Sequence, residues 1–498
     1  MIARLKKYPF YLFLLPVFFV LHGYLENFGF ISLEDALVLM LSYCGMALGI
    51  GLFSYLIFKD INKAALITAA WMSFFFFFAA LHEFLKENAP KFFSKYSFML
   101  SLSVVLLIVL YIILKRTKGK FLKFNLFINV LFIIYIFVDI GGLIWKSNNP
   151  SYQKLSVYSF ARKNEYTICD TCAKPNIYFL LFDEYGSSIS LKEKWNYENK
   201  LDSSLKKKGF SVQSRSQSNY NFTAFSMSAT LNMSFIEGIK NIKSVTADDY
   251  ANCNILVRDN QVITFLDAHG YDIVNYSMFD LAGHPASVEQ SFLPLKTKLI
   301  TDRTLFARMN KDIGWLLITR FPFNLFTKNH FLKHRENNNR FLEQVKEQTR
   351  KQSMKPKFVY AHFYMPHPPF FYDSVGNLKD NELVYHESKI IPPSSYLEYV
   401  TYTNGEILKL VDTIQTNDPK SIIVILSDHG FRVPTKDPFP HFFFQNMNAI
   451  YFPDKDYRML YDSMTNVNQF RAIFNKTFNQ KFPLLKDSSI LLIDRKGP

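Results

Sequence analysis

Apolar positions come in long blocks over roughly the first 150 residues and in short runs thereafter. Five blocks, at about 9–27, 35–58, 64–85, 97–114 and 124–145, approach the roughly 20 apolar residues that a helix needs to cross a bilayer. Stretches such as "SFFFFFAALHEFL" and "SVVLLIVLYIIL" are too continuously apolar for a soluble helix with one wet face. Residues 1–146 are therefore predicted to form a transmembrane domain of five helices. A polar linker is predicted over 147–173. Beyond it lie short unbroken runs, "IYFLLF", "YDIVNY", "KFVYAHFY" and "SIIVIL", which suit buried parallel strands. Helix-like segments such as "ENKLDSSLKKKG" and "SSYLEYVTYTNGEILKLVDTIQ" lie between them. This alternation predicts an α/β domain over 174–498, with a mostly parallel sheet and helices on both faces.

Charge orients the predicted spans. With the N-terminus inside, the short cytoplasmic pieces carry Arg4, Lys6, Lys7, Lys59, Lys63, Lys115, Arg116, Lys118, Lys120 and Lys123. The outer loops carry Lys86, Lys91 and Lys95. By the positive-inside rule this places residues 150–498 outside the cytoplasm, on a protein of the inner (cytoplasmic) membrane. The net charge of +15 fits contact with anionic headgroups and also attraction of an anionic substrate. No nucleic-acid motif accompanies it. Cys169 and Cys172 form a CxxC that can close a disulfide loop in an oxidising compartment. Asp139, His82 and Glu83 interrupt the apolar blocks, and Asp139 has no assignment from sequence.

In open α/β sheets, ligand chemistry collects at the carboxyl ends of the strands. Here those ends carry Asp183 and Glu184, Asp280, His362 and His367, and the pair Asp428–His429 in "VILSDHGFR". A carboxylate beside an imidazole can serve one divalent cation, whereas the bland alternative is a polar turn.

Strand–"DEYG", strand–"SDHG" and the His-Pro stretch "HFYMPHPPF" between them resemble the sulfatase-like members of the alkaline phosphatase superfamily. The resemblance covers about residues 174–455. The layout of five helices before an external catalytic domain is similar to that of lipoteichoic acid synthases and envelope phosphotransferases. The resemblance implies Asp183, Glu184, Asp428 and His429 as metal ligands, with His441 as a further one. It also implies a divalent ion among Zn, Mn, Mg and Ca. The sulfatase CxPSR-type motif is missing, so formylglycine chemistry is not expected. "SNYNFT" is similar to the N-Y-x-x-T stretch of membrane-bound relatives, which makes Thr223 the candidate nucleophile, with Ser226 and Ser228 left open. A Ser/Thr cap at the start of a helix is the structural alternative. His367, and less directly His284, are candidates for binding the anionic head of the substrate. His362 is read as packing or support. The expected activity is hydrolysis or transfer of phosphate (or sulfate) esters of lipid-linked or envelope-polymer molecules at the membrane. A catalytically degenerate domain that binds or senses envelope molecules is the alternative.

Overall fold

The computed structural model describes residues 2–119, 121–148, 166–239, 243–288, 296–310, 312, 330–433 and 435–494. Most of the expected linker, residues 149–165, lies outside them. The chain divides into two compact units. One contains Met1–Lys154 together with Pro294–Thr327, and the other contains Leu155–Leu293 with Lys328–Arg495.

Among the described residues of the first unit, four helices are long and apolar enough to cross a membrane: Leu33–Phe58, Ile61–Asn88, Tyr96–Arg116 and Leu122–Ser147. A fifth, Tyr11–Glu26, is apolar but has only 16 residues. At 1.5 Å per residue that is about 24 Å. Two of the long helices, Leu33–Phe58 and Ile61–Asn88, begin a few residues before their apolar blocks, where polar caps open them. Ser32 Oγ accepts the Asp35 N–H, and Asp60 Oδ1 accepts those of Asn62 and Lys63, so each satisfies donors that open a helix. Asn129 ties the chain start to the last helix, donating to the Leu5 and Tyr8 carbonyls and accepting the Tyr11 N–H. Asp139 is buried and meets His22, with Nδ1 3.1 Å from Oδ1.

Residues 296–310 and 312 pack within this first unit, although in sequence they interrupt the second. Leu299 and Ile300 are buried, and Ile300 sits where any Cβ on Gly23 would collide with it. Arg303 pairs with Glu26 at 2.6 Å, Arg308 with Glu83, and the Tyr96 hydroxyl donates to Asp312. The helix Ile61–Asn88 leaves helical geometry at Phe77, which is neither Pro nor Gly, and Ala79 N–H donates to the Arg303 carbonyl at 3.2 Å. A backbone donor close to the kink thus finds a partner in the inserted segment, as an apolar setting requires.

The second unit is built on a six-stranded sheet. Its strands are β1 (Ile177–Phe182), β2 (Ser211–Val212), β4 (Asp272–Tyr276), β5 (Lys357–Phe363), β6 (Ile422–Leu426) and β7 (Asn448–Tyr451). Strands β3 (Lys243–Val245) and β8 (Leu492–Asp494) form a separate parallel pair. The sheet order is β2-β7-β6-β1-β5-β4. Strands β4, β5, β1 and β6 are parallel neighbours, and β7 and β2 extend the sheet in the antiparallel sense. β1, β5 and β6 are buried on both faces, which is why their sequences are apolar without alternation. The helix Pro393–Asn417 buries Tyr396, Tyr399, Val400, Ile407, Leu410 and Ile414 in a core shared with the sheet. Cys169 and Cys172 are joined in a disulfide.

Candidate active site

Because β5, β1 and β6 are adjacent, their carboxyl ends meet. Asp183 directly follows β1, and its N–H extends the ladder to the Phe363 carbonyl. Asp428 and His429 follow β6 after Ser427. The Ser427 hydroxyl fastens the two strand ends, accepting Tyr185 N–H at 2.8 Å and donating to the His429 carbonyl at 2.7 Å. Gly430 is needed for space. A Cβ there would collide with the Phe442 and Gln445 carbonyls, and its N–H donates to Phe443 O.

One ligand atom from each of Asp183, Asp428 and His429 lies within 4.8 Å of the others, and all three residues are buried. Among the described residues, both carboxylate oxygens of Asp183 and Oδ2 of Asp428 lack a hydrogen-bond partner. His362 adds its Nε2, also without a hydrogen bond, 3.4 Å from Asp183 Oδ2. Buried anions left this way are costly, and a divalent cation among them removes the penalty. The donor set therefore fits a metal. His429 Nδ1 lies 2.8 Å from the Gly430 carbonyl, so donation there leaves the Nε2 lone pair facing the cluster when the ring is neutral. Burial opposes ionisation of Asp428. His429 outweighs it, with help from His362 and the Glu184 N–H, and the carboxyl is held below its usual range. Burial lowers the His429 pKa, but Asp428 beside it more than offsets this, so the net shift is upward.

Thr223 opens the helix Thr223–Asn232, and its hydroxyl lies 3.3 Å from His429 Nε2. The capping alternative does not describe it. The N-cap is Phe222, and no side chain caps this helix. Ser226 and Ser228 are buried and committed elsewhere. Ser226 donates to the Asp428 carbonyl, and Ser228 to the carbonyls of Ala224 and Cys253.

Glu184 stands apart from the group of three. It has φ +60°, a left-handed conformation uncommon outside glycine, and four contacts hold it there. Its N–H donates to Asp428 Oδ1, its carbonyl accepts from the Tyr396 hydroxyl, Oε1 accepts the backbone and Nε protons of Arg432, and Oε2 lies 3.3 Å from His367 Nε2. Burial would raise its pKa, but Arg432, then His367 and His429, lower it below the ordinary value. The side chain expected as a ligand is thus saturated by cations of the protein itself. His441 is also outside the group, exposed in a short 3-10 helix with its ring against Phe439. His284 closes the turn after β4 through its backbone and is half-buried. His367 is at the rim of this site through Glu184, with Nδ1 2.6 Å from the Pro368 carbonyl.

Two residues stand beside the expected set. His362, read from sequence as packing or support, lies opposite Leu181 of β1, two residues before Asp183, and its ring meets that carboxylate. Arg432 had no expected role, yet it was already legible in "SDHGFR" as a cation two residues after a strand-end turn.

Residues 177–478 match the family model for Sulfatase. No curated protein matches the chain. Similar solved structures include the integral membrane lipooligosaccharide phosphoethanolamine transferase A (EptA) of Neisseria meningitidis, at 11% identity over 95% of this chain and 96% of that one, with a TM-score of 0.40. The C-terminal periplasmic domain of phosphoethanolamine transferase EptC from Campylobacter jejuni is 14% identical, over 63% of this chain and 92% of that one, with a TM-score of 0.37. The corresponding domain of EcEptC from Escherichia coli is 10% identical, over 67% and 93%, with a TM-score of 0.40.

Proposed function

Since the chain belongs to the Sulfatase family and is a sulfatase-like hydrolase or phosphotransferase, we propose that it acts on phosphate (or sulfate) esters of envelope molecules with Thr223 as nucleophile. The observation that carries this reading is the Thr223 hydroxyl 3.3 Å from His429 Nε2, beside both Asp183 oxygens and Asp428 Oδ2, which have no hydrogen bond among the described residues. Asp183, Asp428 and His429 would hold a divalent cation, with His362 supporting Asp183. Two carboxylates with an imidazole suit zinc or manganese better than magnesium or calcium. Such a cation supplies positive charge that favours the ionised Thr223 hydroxyl and offsets charge on the ester oxygens.

The chain's own groups do the rest. Thr223 sits at the first turn of a ten-residue helix, where unpaired N–H groups and the helix dipole favour negative charge. Thr223 gives up its hydroxyl proton to solvent, and its oxygen forms a bond to phosphorus while the ester oxygen departs with the bonding electron pair. That oxygen takes up a proton, and the donor in this reading is His367, whose Nε2 lies 3.3 Å from Glu184 Oε2 at the rim. An incoming hydroxyl then reverses the step, giving hydrolysis with water and transfer with an alcohol. The long apolar helices keep the enzyme at a bilayer, which favours lipid-linked or surface-polymer substrates over small soluble esters.

The deciding experiment is activity on a chromogenic phosphodiester per folded, metal-loaded molecule. Thr223→Ala is expected to abolish turnover while keeping most of the metal, and Thr223→Ser to retain measurable activity. Turnover by Thr223→Ala near the wild-type value would remove Thr223 from the mechanism. The proposed compartment has its own test. With five crossings and the N-terminus inside, a tag at residue 498 is expected to be open to protease from outside the inner membrane and a tag at residue 118 protected. Protection of the C-terminal tag would overturn that topology.

A further inference from the structure

We propose that Arg432 is an anion clamp, gripping two oxygens of a tetrahedral oxyanion while Thr223 reacts with its central atom. The inference rests on the reading of Thr223 as nucleophile and names the group that would hold its target. Arg432 is held on two sides. Its Nε and backbone N–H both donate to Glu184 Oε1, at 3.2 and 2.8 Å, and its guanidinium lies over the ring of Phe222, 5.2 Å from the centroid. Phe222 is the residue immediately before Thr223, so the cation rests on the side chain next to the nucleophile. The terminal Nη1 and Nη2 groups have no hydrogen-bond partner among the described residues, and the side chain is 25% exposed.

A guanidinium fixed by its Nε edge and its face presents the remaining edge with little rotamer freedom left to lose. That edge matches two oxygens of a phosphate or sulfate, a geometry a lysine ammonium does not reproduce. Burial opposes its charge, but Glu184, then Asp183 and Asp428, outweigh that and raise its pKa. Glu184 then has a purpose other than metal binding. One of its oxygens fixes Arg432 and the other faces His367, so a single carboxylate spaces the clamp from the rim histidine.

Binding of inorganic phosphate to the full-length, metal-loaded protein in detergent, measured by calorimetry, tests the clamp without requiring turnover. Loss of one charge-assisted pair corresponds to about 10- to 100-fold in affinity. Arg432→Met is expected to weaken phosphate binding by that amount, Arg432→Lys by less, and Thr223→Ala hardly at all. Added guanidinium is expected to restore part of the affinity of Arg432→Met, which a general loss of structure would not allow. Wild-type protein that binds no phosphate, or Arg432→Met that binds it as tightly as wild type, overturns the clamp. Phosphate binding that depends on Arg432 in an enzyme unable to turn over any ester would uphold the clamp and refute the proposed reaction.

Discussion

Asp183 and Glu184 are neighbours at one strand end, and the structure treats them in opposite ways. Asp183 is buried with both oxygens lacking hydrogen bonds, facing Asp428, His429 and His362. Glu184 is buried with its charge answered by Arg432 and His367. The first cluster keeps carboxylate oxygens without a hydrogen bond among the described residues, and the second answers its own charge. A ligand site is therefore marked less by acidic residues than by acids whose needs the fold leaves unmet.

The largest expected effect breaks the first cluster. Asp428→Asn combined with His429→Ala should remove the bound divalent ion and lower activity by at least about a hundredfold, since losing ligands should cost at least as much as losing the outer-shell partners that orient them. Elemental analysis and turnover check this, and unchanged metal stoichiometry would mean the two clusters do not differ as described. Next comes the turn that aims the cluster. Gly430→Ala should destabilise the fold by about 1–3 kcal/mol, the cost of overpacking against rigid backbone carbonyls. A denaturation midpoint equal to wild type would contradict the close approach.

The second cluster offers a smaller effect with a sign. The Glu184 pKa is depressed in the folded protein. Its stabilisation is therefore fully present above its unfolded value of about 4.3 and is lost as pH falls through the lower folded value. Asp428 acts in the same direction. Glu184→Gln should therefore flatten part of the acid limb of stability while leaving metal content near wild type. An unchanged acid limb, or loss of metal, would move Glu184 into the first cluster. The smallest effect is expected at Ser226→Ala. Asp428 O keeps a second donor in Asn466, at 3.3 Å, so stability should fall by only about 1 kcal/mol and activity per folded molecule should hold.

The four strands legible in the sequence, β1, β4, β5 and β6, are the parallel ones whose burial forces unbroken apolar runs. β7 and β2 were missed. The run "NAIY" is buried inside the aromatic stretch that precedes it, and a two-residue strand has no pattern at all. The docking of residues 296–310 and 312 in the first unit was also illegible, because Arg303–Glu26 and Arg308–Glu83 join residues more than 200 positions apart. At the site, residue types at strand ends were readable, but their partners were not. Nothing in "FDEYG" says that Glu184 takes a left-handed conformation, and nothing in "HGFR" says that Arg432 reaches back to it.

The account turns on a covalent role for Thr223, and the most direct measurement is intact mass with peptide mapping after brief incubation with a chromogenic phosphodiester. A phosphoryl-type adduct confined to the peptide carrying Thr223, and missing in Thr223→Ala, is the predicted result. An adduct on any other residue, or turnover with no adduct on Thr223 under rapid quench, would contradict it.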